Sequence, residues 1–420
     1  MTHDVAANPW LEKARALDRY RWLLLRERHG VFASALRFAR EALSDWWFGI
    51  RAKRHLAATV VAEPCDFLLL QSAPKVIAFQ RKKLLIEELR RRGHHLVETA
   101  LLEPKQILQQ RLLKVPPFTV PTRYFGLAAY AEWLVECHQP RILLNDRNGS
   151  LYAPFLRLSL NVRQRLLVHL AHASTVESSR RLGMNDYDYY FLFGRSSLEA
   201  LQARTLRFGS SQAVLAGSHM IDSSYDLPPS EPSRRTVLVL GVGPDKEKEI
   251  GYQRTYALIR DWAAQNADYQ VLIKAHPRSK ALFWQEAAAT LGNVQVLPSH
   301  CTLAEALGRA SLVINIMSNA VIEAALAKKP LIYVNASGEP DIFSQDSFFG
   351  ARVERADQLQ QRILGITDDY ERSQQQSALF ADYHLAQGIW GLQRTCTLLD
   401  GLLRNDCIES LSLTQSLVAE

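Results

Sequence analysis

Residues 310–334 read ASLVINIMSNAVIEAALAKKPLIYV, and the fold turns on how this stretch is parsed. Residues 312–316 form an apolar run of strand length, Met317-Ser318-Asn319 a polar turn, and 320–327 a helix of small and aliphatic residues. Lys328-Lys329-Pro330 stops that helix, and 331–334 is a second apolar run. A strand, helix and strand in which both strands are apolar throughout is a βαβ unit, which belongs to a parallel sheet buried on both faces. The turn then falls at the carboxyl edge, where open α/β sheets take their ligands. Ser318, Asn319 and the N–H groups of a helix start suit a phosphate. Glu323 lies one helical turn beyond Asn319 on the same face, where a carboxylate could accept from a ribose diol. The competing reading is that Ser318 and Asn319 merely cap the helix and that Glu323 is a solvated acid.

Working outward, the residues before this unit repeat its grammar. Strand 236–240 runs into Gly241-Val242-Gly243-Pro244-Asp245, helix 252–265 follows, and strand 269–274 ends in Ala275-His276-Pro277-Arg278-Ser279. A dinucleotide fingerprint is not completed, because Lys246 stands where a third glycine is needed and the second strand closes on Lys274 instead of an acid. Gly241 and Gly243 still allow close approach of a phosphate or sugar to the backbone. Pro277 fixes the chain so that His276 and Arg278 are offered at the strand end, an imidazole and a guanidinium suited to a diphosphate. Beyond the βαβ unit the expectation is a strand over 348–353, then helices to about Leu403 and an irregular Ser/Leu-rich tail.

Residues 223–235, SSYDLPPSEPSRR, have the composition of a linker. Ahead of them lies another α/β pattern, with strands at 67–70, 141–145, 166–170, 187–193 and 213–215. His172 follows one of these strands directly and is the candidate general base, since a neutral imidazole titrates near working pH. Asp146, also at a strand end, is a second candidate base. His169, within the strand, reads as structural. The expected architecture is α/β, with two Rossmann-like domains facing a cleft. It divides into a basic helical segment (1–60), an acceptor-side domain (61–228), a nucleotide-donor-binding domain (229–390) and a C-terminal helix and tail (391–420).

Composition sets the outer limits. A chain of 420 residues, 47% hydrophobic and 22% charged, is globular and large enough for two cores. No apolar run reaches the ~18 residues of a membrane span, and MTHDVAANPW lacks the plan of a signal peptide. Cys65, Cys137, Cys301, Cys396 and Cys407 have no metal-type spacing and suit reduced thiols in a cytoplasm. Of the net charge of +7, much sits in residues 11–54, which hold eleven Lys/Arg against five Asp/Glu. These residues are expected to form two helices broken near His29-Gly30. Their Trp46-Trp47-Phe48 cluster beside Arg51, Lys53 and Arg54 fits an anionic membrane surface or the protein's own body equally well. No nucleic-acid module, G-x-S-x-G elbow or P-loop occurs, so nucleic acid is not an expected partner.

The ordered set HLAHAS, YDYYFLFG, VLAGSHMID, VLVLGVG, LIKAHPRSK and the opening stretch resembles the GT-B superfamily of nucleotide-sugar glycosyltransferases over about residues 65–390. Its look is nearest the bacterial branch of CDP-glycerol glycerophosphotransferases and capsule or Kdo transferases. The resemblance implies His172 as catalytic base, although Ala173 replaces the branch's usual glycine. It implies His276-Pro277 against the donor phosphates, Ser318 and Asn319 at the helix start, and Glu323 on the donor ribose. It further implies a metal-independent, inverting transfer with no cofactor beyond the nucleotide-sugar donor. The implied acceptor is a growing lipopolysaccharide or capsule glycan, lipid-linked at the cytoplasmic face of the inner membrane. The same resemblance leaves open a phosphoglycerol-type transferase, a sugar-nucleotide epimerase and a non-catalytic scaffold.

Overall fold

The computed structural model describes residues 8–174, 176, 179–231 and 233–414. The chain forms two compact units. The first draws on Met1–Leu192, Ser197–Met220 and Gln393–Glu420, the second on Phe193–Ser196 and Ile221–Leu392.

The first unit is built on strands β1 (Phe67–Gln71), β2 (Leu96–Ala100), β3 (Ile142–Asn145), β4 (Leu166–Leu170), β5 (Tyr189–Leu192) and β6 (Ser210–Leu215). They are parallel, in the order β6-β5-β4-β3-β1-β2. β1, FLLLQ, is buried along its whole length, as a central parallel strand must be. The strand order reverses between β1 and β3, so the crevice at the carboxyl ends of those strands is the switch point where such sheets bind.

Strands β7 (Thr236–Leu240), β8 (Gln270–Lys274), β9 (Val294–Val296), β10 (Leu312–Asn315) and β11 (Leu331–Tyr333) make the second sheet. It is parallel throughout, in the order β11-β10-β7-β8-β9, which is the Rossmann order with its switch point between β7 and β10. The stretch 310–334 folds as read. β10 and β11 pair in parallel with Val313 opposite Leu331, around a helix spanning Val321–Leu326. Lys328 ends that helix in the left-handed conformation, φ 52°, just ahead of Pro330. Val239, Tyr256, Trp262, Val271 and Ile314 belong to the core that holds this sheet.

Helices α1 (Pro9–Arg26) and α2 (Val31–Arg54) break at Gly30 as expected. Asn8 caps α1, accepting from the Trp10 N–H at 3.1 Å. Trp10, Ala14, Leu17 and Tyr20 recur at helical spacing and are buried, with Trp10 stacked on Phe155 at 5.9 Å. One face of α2 packs on the helix Thr122–His138, at a crossing where a Cβ on Gly49 would meet the Thr122 carbonyl and one on Gly126 would meet the Phe48 ring. These helices, the body of the expected basic segment 1–60, are thus part of the first unit.

Three further expectations need correction. The units divide between Met220 and Ile221, not at residues 228–229. The C-terminal stretch returns to the first unit, where β12 (Leu411–Thr414) pairs antiparallel with β6 through Leu413 opposite Ser211. Asp400, on the helix before it, binds Arg92 and His94 at 2.7 Å each. Only residues 415–420 of the expected tail lie outside the described residues. Finally, 348–353 is not a strand. Gln345–Phe349 is a helix whose Phe348 and Phe349 pack on Phe380 at 5.3 and 4.9 Å, and Val353 alone bridges to Val334. Aromatic residues carry strand propensity, and here tertiary packing overrides it.

Candidate functional site

Each sheet carries chemistry at its switch point, and the two switch points are built differently. In the second unit the ends of β7, β8 and β10 enclose a cavity of about 400 Å³. Its wall includes Gly241 and Gly243, Lys274 and His276, and Ser318 and Asn319. Gly241 sits in a crowded place. A Cβ there would lie 3.1 Å from both the Ala275 Cα and the His276 nitrogen, where β7 and β8 come together. Gly243 faces open space, with nothing within 4 Å of an added Cβ. The Val242 N–H between them donates to the Tyr256 hydroxyl at 3.1 Å, which pins the turn.

The Nδ1 of His276 accepts from the Arg278 N–H at 3.1 Å. A neutral ring therefore carries its proton on Nε2. Ser318 acts as the turn's own acceptor. Its hydroxyl receives the Ala320 N–H at 3.3 Å, its carbonyl receives the Val321 N–H at 3.2 Å, and the Asn319 carbonyl receives the Ile322 N–H at 3.1 Å. Those N–H groups are committed within the turn and the helix is only six residues long, so its start offers few donors and little dipole to the cavity. The N-cap position of the helix is Ala320, with no side-chain cap, so the Ser318 hydroxyl closes the turn before the helix and does not cap it.

Arg278 and Glu323 do not line this cavity. Arg278 is exposed. Glu323 is half-buried, and desolvation pushes its carboxyl up to about 7. The negative Glu323 in turn adds to the upward shift of the Tyr225 phenol, second to the effect of burial.

The first unit's switch point holds a cluster of titratable groups. Lys82 is buried, and its Nζ lies 2.7 Å from His219 Nε2 and 3.5 Å from Asp146 Oδ2. Desolvation lowers the Lys82 pKa, opposed by the Asp146 charge. Burial also holds His219 well below its ordinary value, with the positive charges of Lys82 and His172 adding to the effect. A neutral His219 accepting at Nε2 keeps its proton on Nδ1. His169, inside β4, is likewise held well below the usual range by burial, with His172 and Lys82 contributing. Its Nε2 lies 2.8 Å from Asn148 Oδ1, which also accepts from the Tyr190 hydroxyl at 3.2 Å, and its Nδ1 faces the Asn145 amide. A neutral imidazole has one N–H. Both ring nitrogens face amide oxygens, Asn145 Oδ1 and Asn148 Oδ1, and one of the two receives that N–H. His169 also stacks on Tyr187 at 4.3 Å, so it is a fixed structural group.

His172 lies exposed two residues past the end of β4. Asp146 immediately follows β3. The structure thus brings both candidate bases to one sheet edge. Sequence reading missed Lys82, His219 and Lys274. Lys82 is hidden in the run Arg81-Lys82-Lys83, where nothing local marks the one cation that turns inward. The signal for His219 was its place just past a strand end, in Ala216-Gly217-Ser218-His219.

No protein-family model matches the sequence, and no curated protein matches it. Solved structures do match in fold. A putative UDP-N-acetylglucosamine 2-epimerase from Listeria monocytogenes aligns with TM-score 0.53 at 12% identity, over 82% of this chain and 100% of that one. Another UDP-N-acetylglucosamine 2-epimerase aligns at 0.51 and 13%, over 84% and 100%. The glycotransferase of kitacinnamycin aligns at 0.50 and 13%, over 81% and 99%. With the two parallel sheets described above, these likenesses establish a GT-B-type α/β fold carrying a helical N-terminal region.

Proposed function

We propose that the chain is a glycosyltransferase that takes a sugar from a nucleotide-activated donor. The observation that carries this reading is the cavity at the second sheet's switch point. Its glycine turn, His276, Lys274 and Asn319 offer backbone approach, an N–H donor and a cation together. That combination matches a nucleoside diphosphate. Glu323 would accept from the ribose and Arg278 would add charge, both from outside the cavity wall.

In this reading the acceptor hydroxyl loses its proton to His172, with Asp146 as the other candidate base, and its oxygen attacks the anomeric carbon. The bond from that carbon to the phosphate oxygen breaks, and the nucleoside diphosphate leaves with the electron pair, giving inversion. His276 and Lys274 stabilise the charge that develops on the leaving group, and electrostatic stabilisation of this kind is usually the main source of rate acceleration in such a site. An envelope glycan at the cytoplasmic membrane face is the acceptor that the motif order suggests. A CDP-linked phosphoglycerol donor would use the same groups.

A second reading is a sugar-nucleotide epimerase, favoured by the Lys82, His219 and Asp146 cluster, which puts several proton-transfer groups at one sheet edge. One screen addresses all of these readings. Melting temperature is measured against CMP, CDP, UDP, GDP and ADP for the native chain, His276→Ala and Glu323→Ala. A ligand at 100 times its Kd adds about 2.7 kcal/mol, so a single nucleotide should give a clear rise that both variants lose. Incubation of the matching nucleotide sugar without acceptor then separates the enzymes, because an epimerase alters the sugar and a transferase waits for a hydroxyl. If no nucleotide shifts the melting point, a scaffold role replaces both.

A further inference from the structure

Helix α2 presents two faces of opposite character. At 24 residues it is about 36 Å long. Its inner face carries Ser34 and Gly49, both buried, and packs on the helix Thr122–His138. Both of its acids are paired. Glu41 is held by Arg21 at 2.8 Å, and Asp45 by Arg21 at 2.5 Å and Arg123 at 3.4 Å. The outer face is an apolar stripe with cations beside it. Phe32 is 92% exposed, Leu36 74%, Leu43 65% and Trp47 59%, at spacings that keep them in one row. Arg37, Arg40, Arg51 and Arg54 are exposed along the same helix. Among the described residues no helix is long and apolar enough to cross a membrane.

We infer that the outer face of α2 docks on an anionic lipid bilayer, lying in the headgroup layer with Phe32, Leu36, Leu43 and Trp47 inserted. Charge segregation selects this occupant. Asp45 is turned inward and Glu41, though its side chain is 44% exposed, is paired with Arg21, so the outer side of the helix is cationic around an apolar centre, and anionic headgroups are its complement. A second copy on the same stripe would bring like charges together across an apolar seam, with no unpaired acid to answer them. The inference goes beyond the proposed activity and stands apart from it, since α2 carries none of the candidate site residues.

The test is flotation of the full-length chain with vesicles of phosphatidylcholine alone and of phosphatidylcholine with phosphatidylglycerol. Sedimentation of the protein without lipid is measured in parallel. The native chain is expected to float with the anionic vesicles and to partition weakly onto the neutral ones. Leu36→Ser with Leu43→Ser and Trp47→Ser should lower the partition constant about tenfold or more, with an unchanged circular dichroism spectrum because these side chains are exposed. Arg40→Gln and Arg51→Gln should each lower it about fivefold on anionic vesicles and leave the neutral ones unaffected. Absence of flotation, or equal flotation of the serine variant, overturns the inference. So does a lipid-independent dimer that the serine substitutions dissociate, which would assign the stripe to a second copy.

Discussion

The two sheets end in the same kind of crevice and fill it in opposite ways. At the second sheet's switch point side chains are sparse, and a cavity of about 400 Å³ opens over a glycine turn. At the first, Lys82 lies against His219 and Asp146, while His169 is held by Asn145 and Asn148. An edge that cradles a phosphate needs space, N–H groups and cations that water can reach. An edge that moves a proton needs ionisable groups whose pKa values are set by burial and neighbours. On the proposed reading, the contrast gives binding to the second unit and proton transfer to the first.

The largest expected effect tests that division directly. His172→Ala should cut transfer by about 10²–10⁴ and leave the nucleotide-induced rise in melting temperature intact. His276→Ala should do the reverse, weakening the nucleotide first. Parallel losses of binding and turnover in His172→Ala would show that the division between the edges is wrong.

Next in size comes pH, where the edges carry opposite signs. The Glu323 carboxyl is raised from 4.5 to about 7 in the folded chain, so the folded state holds more protons than the unfolded one between those values. Its contribution is favourable below 4.5 and is lost as pH rises through 7, a swing of up to about 3 kcal/mol. Glu323→Gln should therefore raise stability most at pH 8 and give no gain near pH 4.5. His219 is shifted the other way. Its folded form stays neutral where the unfolded ring has charged, so its contribution is present above pH 6.5 and is lost as pH falls below that value. His219→Gln should flatten this acid loss. Melting curves of both variants and the native chain across pH 4.5–8 give the differences, and slopes of the same sign would break the contrast.

The second unit was legible in the sequence because its signals are local. A buried run, a Gly-x-Gly turn, a His-Pro strand end and a Lys-Lys-Pro stop each act within a few residues, and the structure places Gly241, Gly243, His276, Ser318 and Asn319 on one cavity wall. The first unit's cluster was only half legible. Asp146 and His172 follow strand ends, a position that can be read along the chain. Lys82 meets His219 across 137 positions, and no spacing rule reaches that far. The C-terminal return to β6 was hidden for the same reason, since Leu411–Thr414 becomes a strand only because β6 offers an edge. Glu323 was read in the right helix, but its burial is a product of packing that the sequence does not state.

The smallest effect offers the sharpest comparison, because it contrasts two glycines of one turn. A methyl on Gly241 would press on the β8 backbone at 3.1 Å. Gly241→Ala should cost about 1–3 kcal/mol, as overpacking does, with any loss of nucleotide affinity following from the distorted turn. Gly243 has nothing within 4 Å of an added Cβ and lies on the cavity wall. Gly243→Ala should keep stability within about 0.5 kcal/mol, while its methyl stands where a phosphate would meet the backbone and weakens the nucleotide. Melting temperature and nucleotide titration on the two variants separate fold from ligand at neighbouring positions. If Gly243→Ala bound nucleotide as well as the native chain, the phosphate would have to lie on the His276 and Asn319 side of the cavity, and the glycine turn would serve only to bring β7 against β8.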